Sequence, residues 1–520
     1  MPRITEFPSA LGSIEDVLAR AKQAQGRAST WIDLYREVYE YTMPDREVFS
    51  QHAPGQRKNA HVYDSVGAYA ADAFANRCQS VLTPPWRHWA ILAPGSDIPE
   101  EHPEREAIEG ALQDATATVF HYLNHSNFSS QVHESYLDLT AGTCALTCDE
   151  GNEAEGQDLL IFDAVPLAYL ALEAGPRGTI DNVYYCRSMP IRNISRQYPG
   201  AVIPPSLADQ MRQNPAAETK VLSANIFDPE SGRYYGLVID EGGKHLLWAW
   251  DYEDSNPYIV GRATVVPGEL FGRGPGVKAL YDIKTANRVV EFTLKHSHLA
   301  IAPPIIAVGD SVLNPYAIRI TPNTVIPVSD INNIKPLDIG GNFNVSELVL
   351  DRLHERIKKA YLDDTRKAEG PVRSASEIII EQQDLLMQQA SVFGRIQAEM
   401  LAPIIKRVVH ILRRNGKIPD LRVDGKEVTI KYSSPLARAQ DAEEMTATDA
   451  VFQRIMAVDP TGALLAGSVK LQDYPRWLAL KQGADLDLFN TAEEVQRNAK
   501  MAAEAMAAQQ APTAAPVGQS

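Results

Sequence analysis

Pro267-Gly268-Glu269-Leu270-Phe271-Gly272-Arg273-Gly274-Pro275-Gly276 opens the stretch on which the reading of this chain turns. Behind these turn formers a helical pattern runs from Val277 to about Leu299, and Pro303-Pro304 stops it. A short β-like segment extends to about Ile339, and a second helical pattern, antiparallel to the first, covers Val345 to Leu362. A polar loop, Asp363 to Arg373, leads into a third pattern from Ser374 to Asn415. The order is helix, small β insert, helix, loop, long helix. It lacks the alternation of strand and helix that a parallel nucleotide-binding sheet requires, and it predicts a rod with a knob at one end and a loop at the other. Ser374-Ala375-Ser376-Glu377 has the spacing of a capping box. At ~1.5 Å per residue the last helix would extend ~60 Å, and Gly394 and Pro403 inside it are candidate kinks.

Working outward, Ser13 to Met43 reads as one long helix or a helical hairpin, with Ser13 as cap and Glu15 and Asp16 against the positive end of the dipole. Asp45 to Ala60 is a polar loop. Val66 to Leu82 is a helix of small residues (Ala68, Ala71, Ala73, Ala75), which lets another backbone approach closely. Trp86 to Leu92 suits a short strand. Helices follow at about Pro103–Asn124 and Ser129–Ala145. After Gly151 the pattern changes to short strands near Leu159–Phe162, Tyr169–Leu172 and Asn182–Tyr185, with short helices at Ile194–Tyr198 and Ser206–Gln213. Val221–Ile226, Tyr234–Ile239 and His245–Trp250 are strands joined at Glu230-Ser231-Gly232 and Glu241-Gly242-Gly243, both hairpin turn signals. Residues 1–265 thus form an α+β unit whose β part comes second. Beyond Asn415, Val428–Tyr432 suits a strand, Pro435–Asp459 a helix, Gly462–Val469 and Trp477–Lys481 weaker helices, and Thr491–Gln510 an Ala-rich helix. Ala511–Ser520 reads as a disordered tail.

The chain has 520 residues, enough for roughly three or four units of ~150. It is 44% hydrophobic and 22% charged, as in ordinary folded proteins. Its four cysteines make no disulfide framework at this length and fit a reducing compartment. No apolar signal core follows Met1, and no apolar run reaches the ~20 residues that a bilayer span needs. Net charge is −16, divided as −17 over residues 1–260, +6 over 261–440 and −5 over 441–520. The stretch quoted first lies in the one basic section of an acidic chain. That asymmetry suits a protein that repels polyanions over most of its surface and meets one along a limited track.

Gly272–Gly276 followed by Lys278 invites a phosphate-cradle reading, as in a phosphate- or nucleotide-binding enzyme. The run lacks the Walker spacing, the Ser/Thr after the Lys, the third glycine of a dinucleotide fingerprint and a following βαβ unit. It reads better as a turn feeding a helix. His121 and His125 have zinc spacing, but Tyr122 stands where a metalloprotease needs Glu. Cys144-x-x-x-Cys148 is a zinc half-site that nothing completes; on the predicted returning helix Cys144 lies ~22 Å from His125. His296 and His298 fall on different faces. Asp363, Asp364 and Glu399 could act as acids or bases, yet no nucleophile or carboxylate cluster accompanies them. The chain reads as a non-enzyme without cofactor or metal, with a phosphate- or nucleotide-binding enzyme using Gly272–Gly276 as the alternative.

Together, the ordered local runs resemble the podovirus-type head-to-tail connector, the portal protein of tailed bacteriophages. These runs are Trp31 to Pro44 with Asp45-Arg46, Tyr63-Asp64-Ser65, Leu82-Thr83-Pro84-Pro85 with Trp86 and Trp89, Pro267 to Gly276, Ala302-Pro303-Pro304, Ser374 to Ile378 and Glu399 to Ile404. They span roughly residues 14 to 480, and one departure is Ser374-Ala375-Ser376-Glu377, where Thr is expected at one or both hydroxyl positions. The resemblance implies an α+β portal fold, mainly α with small β elements: wing (1–265), first stem helix (266–300), clip (301–342), second stem helix (343–362), tunnel loop (363–373), a long kinked helix and strand (374–434), a helical crown (435–505) and a tail (506–520). It implies a ring of about twelve copies at one capsid vertex of the virion, assembled in the host cytoplasm, with double-stranded DNA passing through it. The implied partners are the large terminase, a tail adaptor, the major capsid protein and the scaffolding protein, with no membrane. Phosphates held weakly by a few basic residues, repeated around a ring, would let DNA slide without base readout. Arg366, Lys367 and Arg373 are then the channel-facing candidates, with Lys284, Arg288 and Lys295 on the first stem helix behind them. Asn314, Tyr316, Arg319, Asn323 and Asp330 are candidates for the clip docking surface.

Overall fold

Ser13 begins the fold with a reciprocal cap. Its Oγ accepts the amide of Asp16 at 3.2 Å, and the Asp16 carboxylate accepts the Ser13 amide at 3.0 Å. The helix it starts, α1 (Ile14–Thr42), is a single unbroken element that stops at Met43-Pro44. This is a computed structural model, and it describes residues 7–46, 48–49, 56, 58, 61–94, 105–153, 156–301, 305–307, 334–336, 343–363, 393–419, 429–432, 435–460, 463–469, 474–482 and four positions between 495 and 501. The tunnel-loop candidates Arg366, Lys367 and Arg373 and the clip candidates Asn314, Tyr316, Arg319, Asn323 and Asp330 lie outside the described residues.

The chain divides into two compact units. The first comprises Met1–Arg87, Leu92–Pro371 and Ser391–Ile430. In it α2 (Val66–Leu82) buries Ala70, Ala71, Phe74, Ala75 and Cys78. Its small residues act as expected: a side chain at Gly67 would come within 3.1 Å of the Tyr41 carbonyl and 3.3 Å of Ile283. Strand β1 (Ala90–Ala93), helix α3 (Arg105–His125) and helix α4 (Phe128–Asp138) follow.

The strands form two larger sheets, both antiparallel. A three-stranded sheet runs in the order β3-β2-β9, with β2 (Thr143–Glu150), β3 (Leu160–Ala164) and β9 (Tyr258–Arg262). A five-stranded meander runs through β4 (Leu170–Ala174), β5 (Ile180–Pro190), β6 (Glu218–Asp228), β7 (Arg233–Asp240) and β8 (His245–Asp251). Both turns read from sequence form, each braced by an aspartate. Asp228 accepts from Ser231 at 2.6 Å, and Asp240 accepts the Gly243 amide at 2.8 Å. Helices α5 (Ile191–Gln197) and α6 (Pro205–Gln213) close one end, where Met189, Ile191, Ile194, Leu207, Val221, Val238 and Leu247 share a core. Arg20 on α1 reaches Glu173 on β4 at 3.0 Å; Tyr184 and Asn182 donate to the same carboxylate at 2.6 and 3.0 Å.

The sequence reading is corrected at β2. A helix to Ala145 was expected, but α4 ends at Asp138 and Thr143 to Cys148 is a fully buried strand. Covered on both faces, it shows no polar alternation, and the same short apolar run suits either a helix or a strand. Strand β9 likewise went unpredicted.

Still in the first unit, α7 (Pro275–Ile301) is followed by the pair β10 (Ile305–Ala307) and β11 (Ile334–Pro336), and then by α8 (Phe343–Ala360). A π-helical turn, Gln397–Leu401, continues into α9 (Ala402–Arg414). Strand β12 (Thr429–Tyr432) comes next in the chain.

The second unit comprises His88–Ile91, Val372–Ala390 and Lys431–Ser520. Its described helices are α10 (Pro435–Val458), α11 (Ala463–Ser468) and α12 (Tyr474–Gln482). Phe452 packs at a tilt against Tyr474, which stacks on Trp477, with ring centroids 4.9 and 5.7 Å apart. The Tyr474 hydroxyl donates to Asp449 at 2.5 Å.

Candidate functional site

The glycine turn and the helix pair it feeds form the candidate site. Gly268 has φ of 91°, a conformation that favours glycine. Gly272 and Gly274 are required for a different reason, because the turn crosses the backbone between α4 and β2 at contact distance. A Cβ on Gly272 would sit 2.2 Å from the Gly142 carbonyl oxygen, and one on Gly274 2.2 Å from that of Thr140.

This geometry removes the phosphate-cradle reading. Each amide of the turn that could face a phosphate already has an internal acceptor. Gly272 donates to the Thr143 hydroxyl at 2.8 Å. Arg273, Gly274 and Gly276 donate to the carbonyls of Thr264, Ala141 and Thr140 at 2.7, 3.0 and 2.9 Å. Pro275 has no amide hydrogen. A cradle needs these donors free and convergent.

Helix α1 holds the turn from the other side. The Tyr35 hydroxyl donates to the Gly272 carbonyl at 2.6 Å and lies 2.9 Å from the Thr143 hydroxyl. Burial pushes its phenol pKa upward, so it stays a neutral donor. Phe271 stacks on Trp31 at 5.8 Å, and the Arg273 guanidinium lies 5.0 Å from the Trp31 ring centre. Nearby, Tyr39 donates to Asp138 at 2.5 Å and Arg46 approaches the same carboxylate at 3.0 Å. Burial raises the Asp138 pKa, while Arg46 and Tyr39 pull it back.

From this root α7 and α8 run antiparallel, since Asp282 near the start of α7 meets Arg356 near the end of α8 at 3.0 Å. Asn287 accepts the amides of Tyr63 and Asp64 at 2.6 and 3.1 Å and donates to the His61 carbonyl at 3.1 Å. His354 on α8 meets Asp64 at 2.9 Å. The run Tyr63-Asp64-Ser65 therefore anchors both helices. Away from these anchors the pair leaves large apolar side chains in solvent. Tyr281 is 80% exposed, Phe292 59% and Ile301 84%, with Leu294, Leu348 and Val349 also exposed.

The basic candidates on α7 differ from one another. Lys284 pairs with Glu37 on α1, and Lys295 with Glu291 one turn earlier at 2.6 Å. Arg288 is exposed. Around the kink candidates, the π-turn lies between Gly394, which is exposed, and Pro403 in the first turn of α9. Glu399, weighed above as an acid or base, accepts a two-pronged bond from Arg262 at 2.9 and 2.8 Å and a third from Arg395 at 3.0 Å. It is a structural anchor joining β9 to the π-turn. Sequence reasoning missed Arg262, because 137 residues separate it from Glu399.

The histidine and cysteine patterns separate too. Cys144 and Cys148 are buried on β2, and burial pushes the Cys148 thiol up to about 12. His121 and His125 lie together on an exposed helix face with tilted rings whose centres are 4.3 Å apart.

A long helix pair rooted in a glycine crossing, with a small β insert at its tip, defines a connector-like subunit, and comparison with known proteins agrees. Residues 15–489 match the family described as "Bacteriophage head to tail connecting protein". The chain is 25% identical over 416 residues to the portal protein of Salmonella phage epsilon15, covering 75% of this chain and 73% of that protein. Among solved structures it is similar to a chain of the virion of a native gene transfer agent particle (TM-score 0.39, 12% identity, 83% of this chain and 99% of that one). It is also similar to a chain of the neck of an empty particle of that kind (TM-score 0.37, 12% identity, 80% and 95%). The chain belongs to the family of bacteriophage head-to-tail connecting proteins, and is thus a component of the phage particle at its portal vertex. No helix among the described residues is long and apolar enough to cross a membrane.

Proposed function

We propose that this chain assembles into a ring of about twelve copies at one capsid vertex and conducts double-stranded DNA during packaging and ejection. The observation that carries this reading is the connector-family match over residues 15–489, to which the exposed apolar side chains of the α7–α8 pair add physical sense. Half a dozen large apolar side chains on one thin pair are costly to leave in water, and neighbouring copies around a ring would cover them.

On this reading residues 1–265 form the wing, α7 and α8 the stem, 301–342 the clip, 363–373 the tunnel loop, 374–434 the kinked helix with its strand, and 435–505 the crown. The clip, through Asn314, Tyr316, Arg319, Asn323 and Asp330, docks the large terminase and later the tail adaptor. The wing and crown meet the major capsid and scaffolding proteins. DNA passes Arg366, Lys367 and Arg373. On the stem, Arg288 is a better phosphate contact than Lys284 or Lys295, whose charges are already paired. Gly394 and Pro403 bend the long helix around the π-turn. The chain performs no catalysis, and ATP hydrolysis belongs to the separate motor. Negative-stain microscopy with mass measurement of the purified protein tests this. Rings near twelve copies with an axial hole support it, and a compact monomer at every salt concentration rejects it.

A further inference from the structure

The turn between β8 and β9 carries two adjacent acids, Glu253 and Asp254, and α9 passes it with His410. The His410 side chain is only 5% exposed. Its Nδ1 lies 3.3 Å from Asp254 Oδ1. Its Nε2 lies 3.6 Å from Glu253 Oε2, beyond hydrogen-bond range, and is buried with no hydrogen-bond partner. A buried ring nitrogen left in that state is costly. One ligand atom from each of the three side chains falls within 4.8 Å of the others. Glu253 is also one of the few non-glycine residues here with positive φ, 56°.

We propose that Glu253, Asp254 and His410 form a binding site for a divalent transition-metal cation of the zinc class, which ties the β8–β9 turn to α9. Ligands at ~2.1 Å from a tetrahedral cation stand ~3.4 Å from one another. The separation of Nε2 and Glu253 Oε2, 3.6 Å, is already close to that spacing. A ring protonated on Nδ1, toward the Asp254 oxygen, would turn its Nε2 lone pair toward Glu253. One imidazole and two carboxylates are a borderline donor set, suited to zinc or manganese, whereas calcium and magnesium favour all-oxygen shells. Two carboxylates also balance a dication.

Two cations stand near, and neither fills the place. Lys406 approaches Asp254 Oδ2 at 3.8 Å with its side chain 53% exposed, so it can swing into water. Arg407 is turned away: its Nε donates to the Cys148 carbonyl at 3.0 Å and its Nη1 to Ser255 at 3.1 Å, with its guanidinium over the Tyr252 ring. All three side chains belong to one chain, so the site needs no ligand from a neighbouring copy.

Calorimetric titration of the chelator-treated full chain with Zn2+ tests the proposal, with Co2+ spectra alongside and Mg2+ and Ca2+ as comparison ions. One saturable zinc per chain is expected, with affinity reduced at least about tenfold in both Glu253→Gln and His410→Gln. Glu253 is 38% exposed, so its variant keeps the fold if His410→Gln does not. The Co2+ complex should lack a thiolate charge-transfer band, since Cys148 and Cys144 are not ligands. His121→Gln serves as the control for the exposed histidine pair and should bind as wild type. No saturable zinc binding, unchanged affinity in Glu253→Gln, loss of binding in His121→Gln instead, or tighter binding of Ca2+ than of Zn2+ would each overturn it.

Discussion

Replacing Gly274 by alanine adds one methyl group at the root of the helix pair. The new Cβ would stand 2.2 Å from the Thr140 oxygen, 2.6 Å from the Leu139 oxygen and 2.7 Å from the Gly142 nitrogen. All three are backbone atoms, so no side chain can rotate away. Overpacking of this kind costs about 1–3 kcal/mol. Relief by shifting the turn stretches the bonds from Gly274 to Ala141 and from Gly276 to Thr140, each worth about 1 kcal/mol. The sum, about 3–5 kcal/mol, is a large share of the 5–15 kcal/mol that holds a typical domain. Gly394→Ala is the matched control. Nothing lies within 4 Å of its Cβ position, and it sits in a helical turn, so alanine should stabilise by about 0.5–1 kcal/mol. Urea unfolding followed by far-UV circular dichroism reads both, with yield of soluble protein as a second measure. A Gly274→Ala protein with wild-type yield and midpoint would refute the backbone-crossing argument.

Other tests address the ion pairs and the channel. Arg262→Met leaves Glu399 with Arg395 alone and should cost about 3–5 kcal/mol by urea unfolding, with Arg262→Met/Glu399→Leu recovering much of it; equal losses in both would reject the pair as the cause. The Glu173 carboxyl is raised by burial but lowered more by the bonds from Tyr184, Arg20 and Asn182, so its net pKa lies below its ordinary value of 4.5. A group depressed on folding contributes stability above its unfolded pKa and loses it as pH falls through the folded one. Acid unfolding midpoints should therefore drop less steeply below pH 4.5 in Glu173→Gln than in wild type, and parallel curves would reject the link. Charge reversal at Arg366, Lys367 and Arg373 together should leave ring assembly intact and lower DNA content per head; unchanged content would reject a channel role for that loop.

What the sequence disclosed follows from which physical signals are local. The α7–α8 layout was legible because Val277 to Leu299 carries a helical period between two proline-rich stops. The hairpin turns were legible because glycine and acidic residues cluster at each. Strand β2 was not, because Thr143 to Cys148 is covered on both faces and carries no alternation. The purpose of Gly272 and Gly274 was half legible: the absent Walker pattern argued against phosphate, but the turn's close approach to the backbone between α4 and β2, which demands glycine, is a long-range fact. Arg262 with Glu399, and His410 with Glu253 and Asp254, were invisible for the same reason, since neither group has a sequence-local spacing.

The glycine crossing also has a mechanical meaning. Part of any force along α7 enters the rest of the first unit through the bonds that the amides of residues 272–276 make to Thr140, Ala141, the Thr143 hydroxyl and Thr264, beside the side-chain ties of Lys284 and Asn287. Main-chain links of this kind have little slack compared with long side chains. A thrust at the tip is therefore delivered into β2 and, through its pairing with β9 and the clamp of Arg262 on Glu399, into the helix that begins at the π-turn. The turn is thus a stiff joint at the base of α7, and a compliant one would let such a force dissipate before it reached β2.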